Sequence, residues 1–570
     1  MASQFKQIRI HSNNYIGVRR ETFPVAKQAS HSLSVGRSLW DRAIARRVAG
    51  CLVLLAVSAS LILPNLSYPQ AIIFDETYFI PTAQRYLNGV FFQEPHPPLG
   101  KMLVALGQKW LHPDAPSNEF VGVEKINQGW PKGMDITGYR LVPALFGIMN
   151  PALVFLILTL LLREEIYSLA ISAFLAFDNA LIIQARAALL DSILIFFCLG
   201  SVLVFVYLSF RPERRLAAFV PLVALWGALQ AAAANVKLTG LFLLVLAGVY
   251  AWQLLLSHRI RRLVILVLVL GAAFATTFLG LWAIHFAVAN HLGTNDYEIS
   301  AVHKQILQGT YTPDPVTRFV IQFKDALDYS RHYEDGVPRL DLTKPDEVGS
   351  PWFWWPLGGR TINYRWETPD GTSYRYSYLI GNPITWLISL LGVLAGTGLV
   401  LGDLLFRFLA ADRRKALYTF VLLYWAYMIP MMFITRVMYL YHYLPPMIIG
   451  VILFGLVLWE AQTLSWDAKR DVLVVSVILL LASFWVYKPL TFYEPLTKEQ
   501  FQERNIWPAW DLKCVNCSSQ SYRPGRVAQY GQDPGKEVAL EIPFISSPGP
   551  VQQDLAILAP GEFMKKEKCL

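Results

Sequence analysis

The stretch FDETYFIPTAQRYLNGVFFQEPHPPLGKMLVAL, Phe74–Leu106, decides how the rest of the chain is read. It opens on two adjacent carboxylates, Asp75 and Glu76, shortly after the first strongly apolar segment, Val48–Leu63. A charged pair near a membrane surface is costly to desolvate unless it has a task. His96-Pro97-Pro98 then reads as an extended elbow, because proline disfavours helix in the residue before it. Lys101 begins a new apolar run. Two acids, an elbow and a base, all just outside one membrane helix, form the pattern the remaining sequence has to explain.

Working outward, the chain has 570 residues, of which 54% are hydrophobic. Mean hydropathy is +0.38. Near-continuous apolar runs of about 17–25 residues recur, the length needed to cross a bilayer. The fold class expected is an all-α polytopic membrane protein with about eleven spans: 48–64, 141–162, 166–184, 187–208, 216–233, 237–256, 263–288, 383–401, 416–434, 441–460 and 471–487. The polar segment 1–47 ahead of the first span makes that span a signal anchor.

Basic clusters test this count. Placing the N-terminus in the cytoplasm puts Arg42, Arg46 and Arg47 on one side, together with Arg211, Arg214 and Arg215, with Arg259, Arg261 and Arg262, with Arg413, Arg414 and Lys415, and with Lys469 and Arg470. A common side is what the positive-inside rule requires. The +9 net charge therefore reports topology and gives no sign of nucleic-acid binding. The membrane domain is expected over 48–487, with outer loops 65–137 and 289–382 and an outer tail 488–570. Loop 289–382 is rich in Trp and Tyr, including Trp352, Trp354, Trp355, Tyr364, Trp366, Tyr374, Tyr376 and Tyr378, which fits a segment at the membrane interface. Only five cysteines are present. Cys514 and Cys517 form a lone CxxC in the tail, read as a disulfide in an oxidising compartment. No P-loop, GxGxxG or HExxH motif occurs.

The informative charges are those on the side the rule disfavours: Asp75, Glu76, Lys101, Asp178, Arg186, Asp191, Lys237, Arg436 and His442. An ionised side chain at helix-centre depth costs about 2.5–3.5 kcal/mol on insertion scales. Gathered on one side, these groups would make a polar chamber. Most have a plainer alternative, and His442 beside two tyrosines would be an interfacial polar residue. Asp75 and Glu76 would serve as a solvated loop pair. Arg186 with Asp178 or Asp191 would be a structural ion pair, Lys101 and Lys237 would snorkel to headgroups, and His96 would brace the elbow.

Several ordered stretches together carry a family resemblance: FDETYF, EPHPPLGKML at 94–103, FDNALIIQARAALLDS at 177–192, VKLTGLF at 236–242, LIGNPITW at 379–386 and RVMYLYHYLPP at 436–446. Over about residues 70–490 the chain resembles the protein O-mannosyltransferases, family 39 of the GT-C glycosyltransferases. The resemblance implies a polyprenyl-phosphate sugar donor, mannose transfer with inversion, a Ser/Thr hydroxyl of a protein as acceptor, catalysis and acceptor positioning at Asp75 and Glu76, and an arginine near the donor at Arg186. Relatives that modify glycolipids share the acidic pair, so a lipid A-like acceptor stays open. Loop 289–382 is too short for the β-trefoil module of eukaryotic members. The chain therefore resembles a bacterial-type member of the inner membrane with a periplasm-facing site.

The resulting scheme makes Asp75 the base and Glu76 the acceptor-positioning group. Lys101, Arg186, Lys237, Arg436 and His442 are candidates for the donor phosphate and sugar, with His96, Asp178 and Asp191 in support. It requires no cofactor or metal, although a divalent metal is compatible with an acid pair. Expected partners are the lipid donor, a protein or glycolipid acceptor and membrane lipids, with no nucleic acid; oligomeric state is left open. A lipid or anion transporter is the opposing class. It predicts charges distributed through both leaflets and leaves the first loop unexplained.

Overall fold

The structure is a computed structural model and describes residues 25–112, 135–211, 215–293, 299–344, 347–367, 372–461 and 463–513. Side chains are described from residue 43 onward. Cys514 and Cys517 lie outside the described residues, as do part of the first outer loop and most of the tail.

The predicted spans coincide with helices. Helix α1 (Val25–Ile62) carries the first, over Ala43–Ile62. The first loop folds into α2 (Glu76–Leu87) and α3 (Leu99–Leu111). Pro98 sits at the N-cap of α3, where the missing N–H of a proline costs nothing. Next come α4 (Thr137–Leu162), α5 (Glu165–Ala176), α6 (Asn179–Ala185), α7 (Asp191–Phe210), α8 (Leu216–Val236), α9 (Leu244–Leu256), α10 (Ile260–Ile265) and α11 (Gly271–Val288). The second outer loop contributes α12 (Ala301–Leu307) and α13 (Pro315–Gly336). The C-terminal half holds α14 (Pro383–Phe406), α15 (Ala411–Met432), α16 (Leu444–Glu460), α17 (Trp466–Phe492) and α18 (Lys498–Gln502).

Among the described residues, nine helices or continuous helical runs are long and apolar enough to cross a membrane, ten if α5 and α6, bent by 65°, make one span. The count of eleven rested also on 416–434. That segment is the helix α15, whose charged opening Asp412-Arg413-Arg414-Lys415 and interior Tyr418, Tyr424, Trp425 and Tyr427 dilute its apolarity. The α5–α6 bend falls at Phe177-Asp178. Asp178 caps α6 by accepting from the Leu181 backbone N–H at 2.9 Å, an N-cap that restarts the helix in a new direction.

Close packing without a hydrophobic drive needs small residues between membrane helices. At the α14–α16 crossing, a Cβ on Gly392 would lie 2.2 Å from the Gly450 carbonyl oxygen. That crossing admits no side chain at Gly392.

The aromatic loop does more than lie at an interface. Ile362–Glu367 (β1) and Tyr374–Leu379 (β2) form an antiparallel hairpin, and β3 (Pro495–Leu496) from the tail adds to β2, giving the order β1-β2-β3. Tyr374, Tyr376, Tyr378, Phe501 and Trp510 share a small core of their own with Tyr487 and Leu490 of α17. The start of the tail is thus part of the sheet that covers this end of the bundle. The register shifts between Asn363 and Arg365, leaving Tyr364 as the extra residue of a bulge. Bulges of this kind re-aim a side chain, and here the side chain turns to the loop that carries Asp75.

Candidate active site

The site begins with the backbone of Phe74. Its φ is 48°, left-handed territory that a bulky residue adopts only when surroundings enforce it. The surroundings are the Tyr364 bulge. The Phe74 ring stacks on the Tyr364 ring at 4.2 Å, and its N–H donates to the Tyr364 carbonyl at 3.3 Å. Tyr364 is itself fixed by Gln184, whose Nε2 donates to the phenolic oxygen at 2.7 Å. This turn sends Asp75 and Glu76 in different directions.

Glu76 is fully buried. One carboxylate oxygen accepts from Arg140 Nε at 2.7 Å and from the Ala188 N–H at 2.8 Å. The other accepts from Arg140 Nη2 at 2.8 Å and from the Ile73 N–H at 2.9 Å. Arg140, also fully buried, donates further to the carbonyls of Leu66, Pro69 and Ala71. A bidentate guanidinium–carboxylate pair with its remaining donors satisfied is the arrangement that makes a buried charge tolerable. It ties the first loop to α4 and to the α6–α7 turn. The oxygens of Glu76, which was expected to position an acceptor, are taken up by protein groups. Arg140 was missed. The signal was present, because it is another arginine on the disfavoured side, at the mouth of the second span.

Asp75 is different. It stands at the N-cap position of α2 without capping it, is partly exposed, and its carboxylate makes no hydrogen bond among the described residues. Burial of its surroundings pushes the carboxyl up to about 7, against Lys237, which draws it down; Asp191 and Glu94 push it further up. The hydroxyls of Tyr78, Tyr333, Tyr364, Tyr439 and Tyr441 lie within electrostatic reach of it. Tyr439 and Tyr441 stack on each other at 5.6 Å. Asp75 thus looks into a chamber walled by tyrosines.

Lys237 is the cation of that chamber. It caps the end of α8, pairs with Asp191 at the start of α7 at 2.7 Å, and holds its ammonium 4.8 Å over the Tyr441 ring. His442 stacks on Tyr441 at 4.5 Å and on Trp355 at 6.0 Å. Its Nδ1 lies 3.0 Å from the Tyr439 carbonyl, and Nε2 has no bond among the described residues. Arg436 pairs with Glu334 of α13 at 2.6 Å and lies within electrostatic reach of His442. The structure therefore brings Asp75, Asp191, Lys237, His442 and Arg436 together.

Four other candidates, Lys101, His96, Arg186 and Asp178, are bonded to protein groups. Lys101 is buried and bonded to Glu94 and to the His96 carbonyl, and His96 Nδ1 lies 2.7 Å from Glu94. Burial alone would raise the Glu94 carboxyl; Lys101 and His96 outweigh it and hold it at about 2. Burial lowers Lys101, against Glu94. The Lys101 charge is thus spent on fastening the elbow, and Glu94 was missed because a pairing across a proline turn leaves no periodic signal. Arg186 donates to the carbonyls of Ile62 at 2.7 Å, Pro64 at 2.8 Å and Asn65 at 3.0 Å, and lies 5.0 Å over the Phe492 ring. These bonds fasten the end of α1 and the turn after it, and give Arg186 a structural task. Asp178, besides capping α6, accepts from the Asn382 N–H at 2.9 Å and Trp386 Nε1 at 3.2 Å, fixing α6 to α14. Among the described residues, no three His, Cys, Asp or Glu side chains gather as a metal site would need.

A bundle of apolar helices with a charged, aromatic chamber at one end has a counterpart among solved structures. The S. cerevisiae protein O-mannosyltransferase Pmt1-Pmt2 complex bound to the sugar donor contains a chain that superimposes with a TM-score of 0.69 at 16% identity, covering 82% of this chain and 93% of that one. Residues 52–298 match the family described as dolichyl-phosphate-mannose-protein mannosyltransferase, and residues 339–510 match the C-terminal four TMM region of protein-O-mannosyltransferase. The chain belongs to the protein O-mannosyltransferase family. It is 33% identical to protein O-mannosyl-transferase 1 of Danio rerio over 45% of this chain and 37% of the relative, and 32% identical to that of Rattus norvegicus over 43% and 34%. A similarity of 30% extends to dolichyl-phosphate-mannose--protein mannosyltransferase 1 of Candida albicans, over 45% of this chain and 30% of the relative. The match spans about a third of the length of these curated relatives.

Proposed function

We propose that the chain transfers mannose, with inversion, from a polyprenyl-phosphate donor to a Ser or Thr hydroxyl of a protein. The observation that carries this reading is the Asp75 carboxylate: partly exposed, without a hydrogen bond among the described residues, and raised to about 7 beside the Lys237 ammonium. A base with a value near neutral pH is best matched to taking a proton at that pH. In the proposed step the acceptor hydroxyl gives its proton to Asp75 as its oxygen bonds to the anomeric carbon. The bond from that carbon to the phosphate oxygen breaks, and polyprenyl phosphate leaves with the electron pair.

Lys237, His442 and Arg436 are assigned to the charge on the departing phosphate, Lys237 as a point charge and Arg436 as a fork. The Tyr439 and Tyr441 faces are assigned to the sugar ring. Asp191 holds Lys237 in place. Neither Glu76, Lys101 nor Arg186 is assigned to a substrate, and the scheme has no metal or cofactor in it.

The chamber is assigned to the outer face of a bacterial inner membrane. Supporting this, the chamber charges and the basic clusters fall at opposite ends of α7, α8 and α9. A reporter fused after residue 513 that is active only in the cytoplasm would refute the orientation. The activity is tested with purified protein, polyprenyl-phosphate mannose, and peptide or glycolipid acceptors side by side. Mannosyl peptide is the expected product; mannosylated glycolipid alone would reassign the acceptor, and no transfer to either would reject the reading.

A further inference from the structure

The backbone turn at Phe74 is held from both sides. After it, Glu76 is fastened to Arg140. Before it, the hold comes from β1: Arg365 Nη1 donates to the Ile72 carbonyl at 3.3 Å, and the Phe74 N–H donates to the Tyr364 carbonyl at 3.3 Å. Tyr364 is the extra residue of the β1 bulge and is fully buried. Its ring lies flat on the Phe74 ring, 13° from parallel at 4.2 Å. The rings of Tyr439 and Tyr441 close on the same Phe74 ring edge-on, at 6.3 and 5.8 Å. Phe74 is thus clamped between the sheet and the wall of the chamber.

The Tyr364 ring is itself pinned at its far end. Its hydroxyl accepts from Gln184 Nε2 of α6 at 2.7 Å, and Gln184 is buried. A left-handed φ at a bulky residue persists only while its surroundings impose it. Releasing the Tyr364 ring would let Phe74 relax, and a change of backbone angle at one residue re-aims the next, which is Asp75. We propose that Tyr364 is a positioning residue of the transfer reaction: it acts through the Phe74 ring, with Gln184 as its anchor, to aim the Asp75 carboxylate into the chamber. This rests on the reading of Asp75 as the base. Tyr364 is assigned no contact with donor or acceptor. The aromatic sheet then has a catalytic purpose beyond covering the end of the bundle.

The test measures the full chain with polyprenyl-phosphate mannose and a Ser/Thr peptide, per folded molecule. Tyr364→Leu removes the stack and should lower kcat about 10–100-fold, the cost of a small misplacement of a reacting group. Peptide KM and donor affinity should stay at the parental values. Tyr364→Phe keeps the ring and loses only the anchor, so it should recover most of that kcat and fall a few-fold short of the parent. Gln184→Met should match Tyr364→Phe, and the two combined should be no slower than either alone, because both break one bond. In an Asp75→Asn background, Tyr364→Leu should cost no further rate. Parental kcat in both Tyr364→Phe and Gln184→Met, a raised KM at parental kcat, or an added loss in the Asp75→Asn background would each overturn the proposal; the first of these serves if Tyr364→Leu does not fold. A slow Asp75→Asn beside a Tyr364→Leu of parental kcat defeats the positioning role alone, whereas parental turnover in Asp75→Asn defeats the base and this proposal with it.

Discussion

Glu76 and Arg140 meet with two nitrogens on two oxygens, at 2.7 and 2.8 Å, both side chains fully buried. The residue immediately before Glu76 has the opposite situation, because Phe74 turns the chain so that Asp75 faces the tyrosine chamber. One pair of neighbouring carboxylates is thereby divided into a structural acid and a candidate base.

The first prediction concerns that division. Asp75→Asn should fold and bind donor while turning over about a hundred times more slowly or worse, since a positioned base contributes about 10²–10⁴-fold. In the parent, rate should rise with pH toward a midpoint near 7, because the carboxylate is the working form and burial holds its proton. A profile flat from pH 5 to 8 would separate Asp75 from the base. The sign for stability is opposite. The folded state binds this proton more tightly than the unfolded chain, so stability from this group falls as pH rises from about 4 to about 7. Asp75→Asn should lack that fall in a thermal melt.

Glu76→Gln and Arg140→Ala should behave as folding defects. Breaking a buried pair costs about 3–5 kcal/mol. Expression and melting temperature should drop in both, and whatever Glu76→Gln protein folds should keep the parental affinity for donor. A Glu76→Gln protein of parental stability with a raised acceptor KM would restore an acceptor role.

Arg186→Ala should likewise lower stability, by about 1–3 kcal/mol for the carbonyls it leaves open. Catalytic efficiency per folded molecule should stay within a few-fold of the parent, measured after correcting for the folded fraction. A selective loss of donor affinity at unchanged melting temperature would return Arg186 to the phosphate.

Lys237→Met should weaken donor use and also move the pH profile. Lys237 draws the Asp75 carboxyl down, so removing it should shift the midpoint of the rate upward. Asp191→Asn removes a charge that pushes Asp75 up and should shift it downward. Profiles of the two variants that coincide with the parent would disconnect this pair from Asp75.

Hydropathy and the sidedness of arginine clusters are sums over neighbouring residues, so the sequence by itself determined that the chain spans a membrane and which charges share one end. It also determined the family, because ordered motifs such as FDETYF and YLYHYLPP survive as strings. What each charge does was decided only by tertiary structure. Glu76 finds Arg140 across 64 residues, and Arg186 finds the end of α1 across 124. In an apolar interior every buried charge must be paired, and which partner it takes depends on how helices far apart in sequence cross. The tail shows the same limit: two residues, Pro495 and Leu496, complete a sheet begun in the aromatic loop. Nothing in so short a segment announces a strand until the edge of β2 is there to receive it.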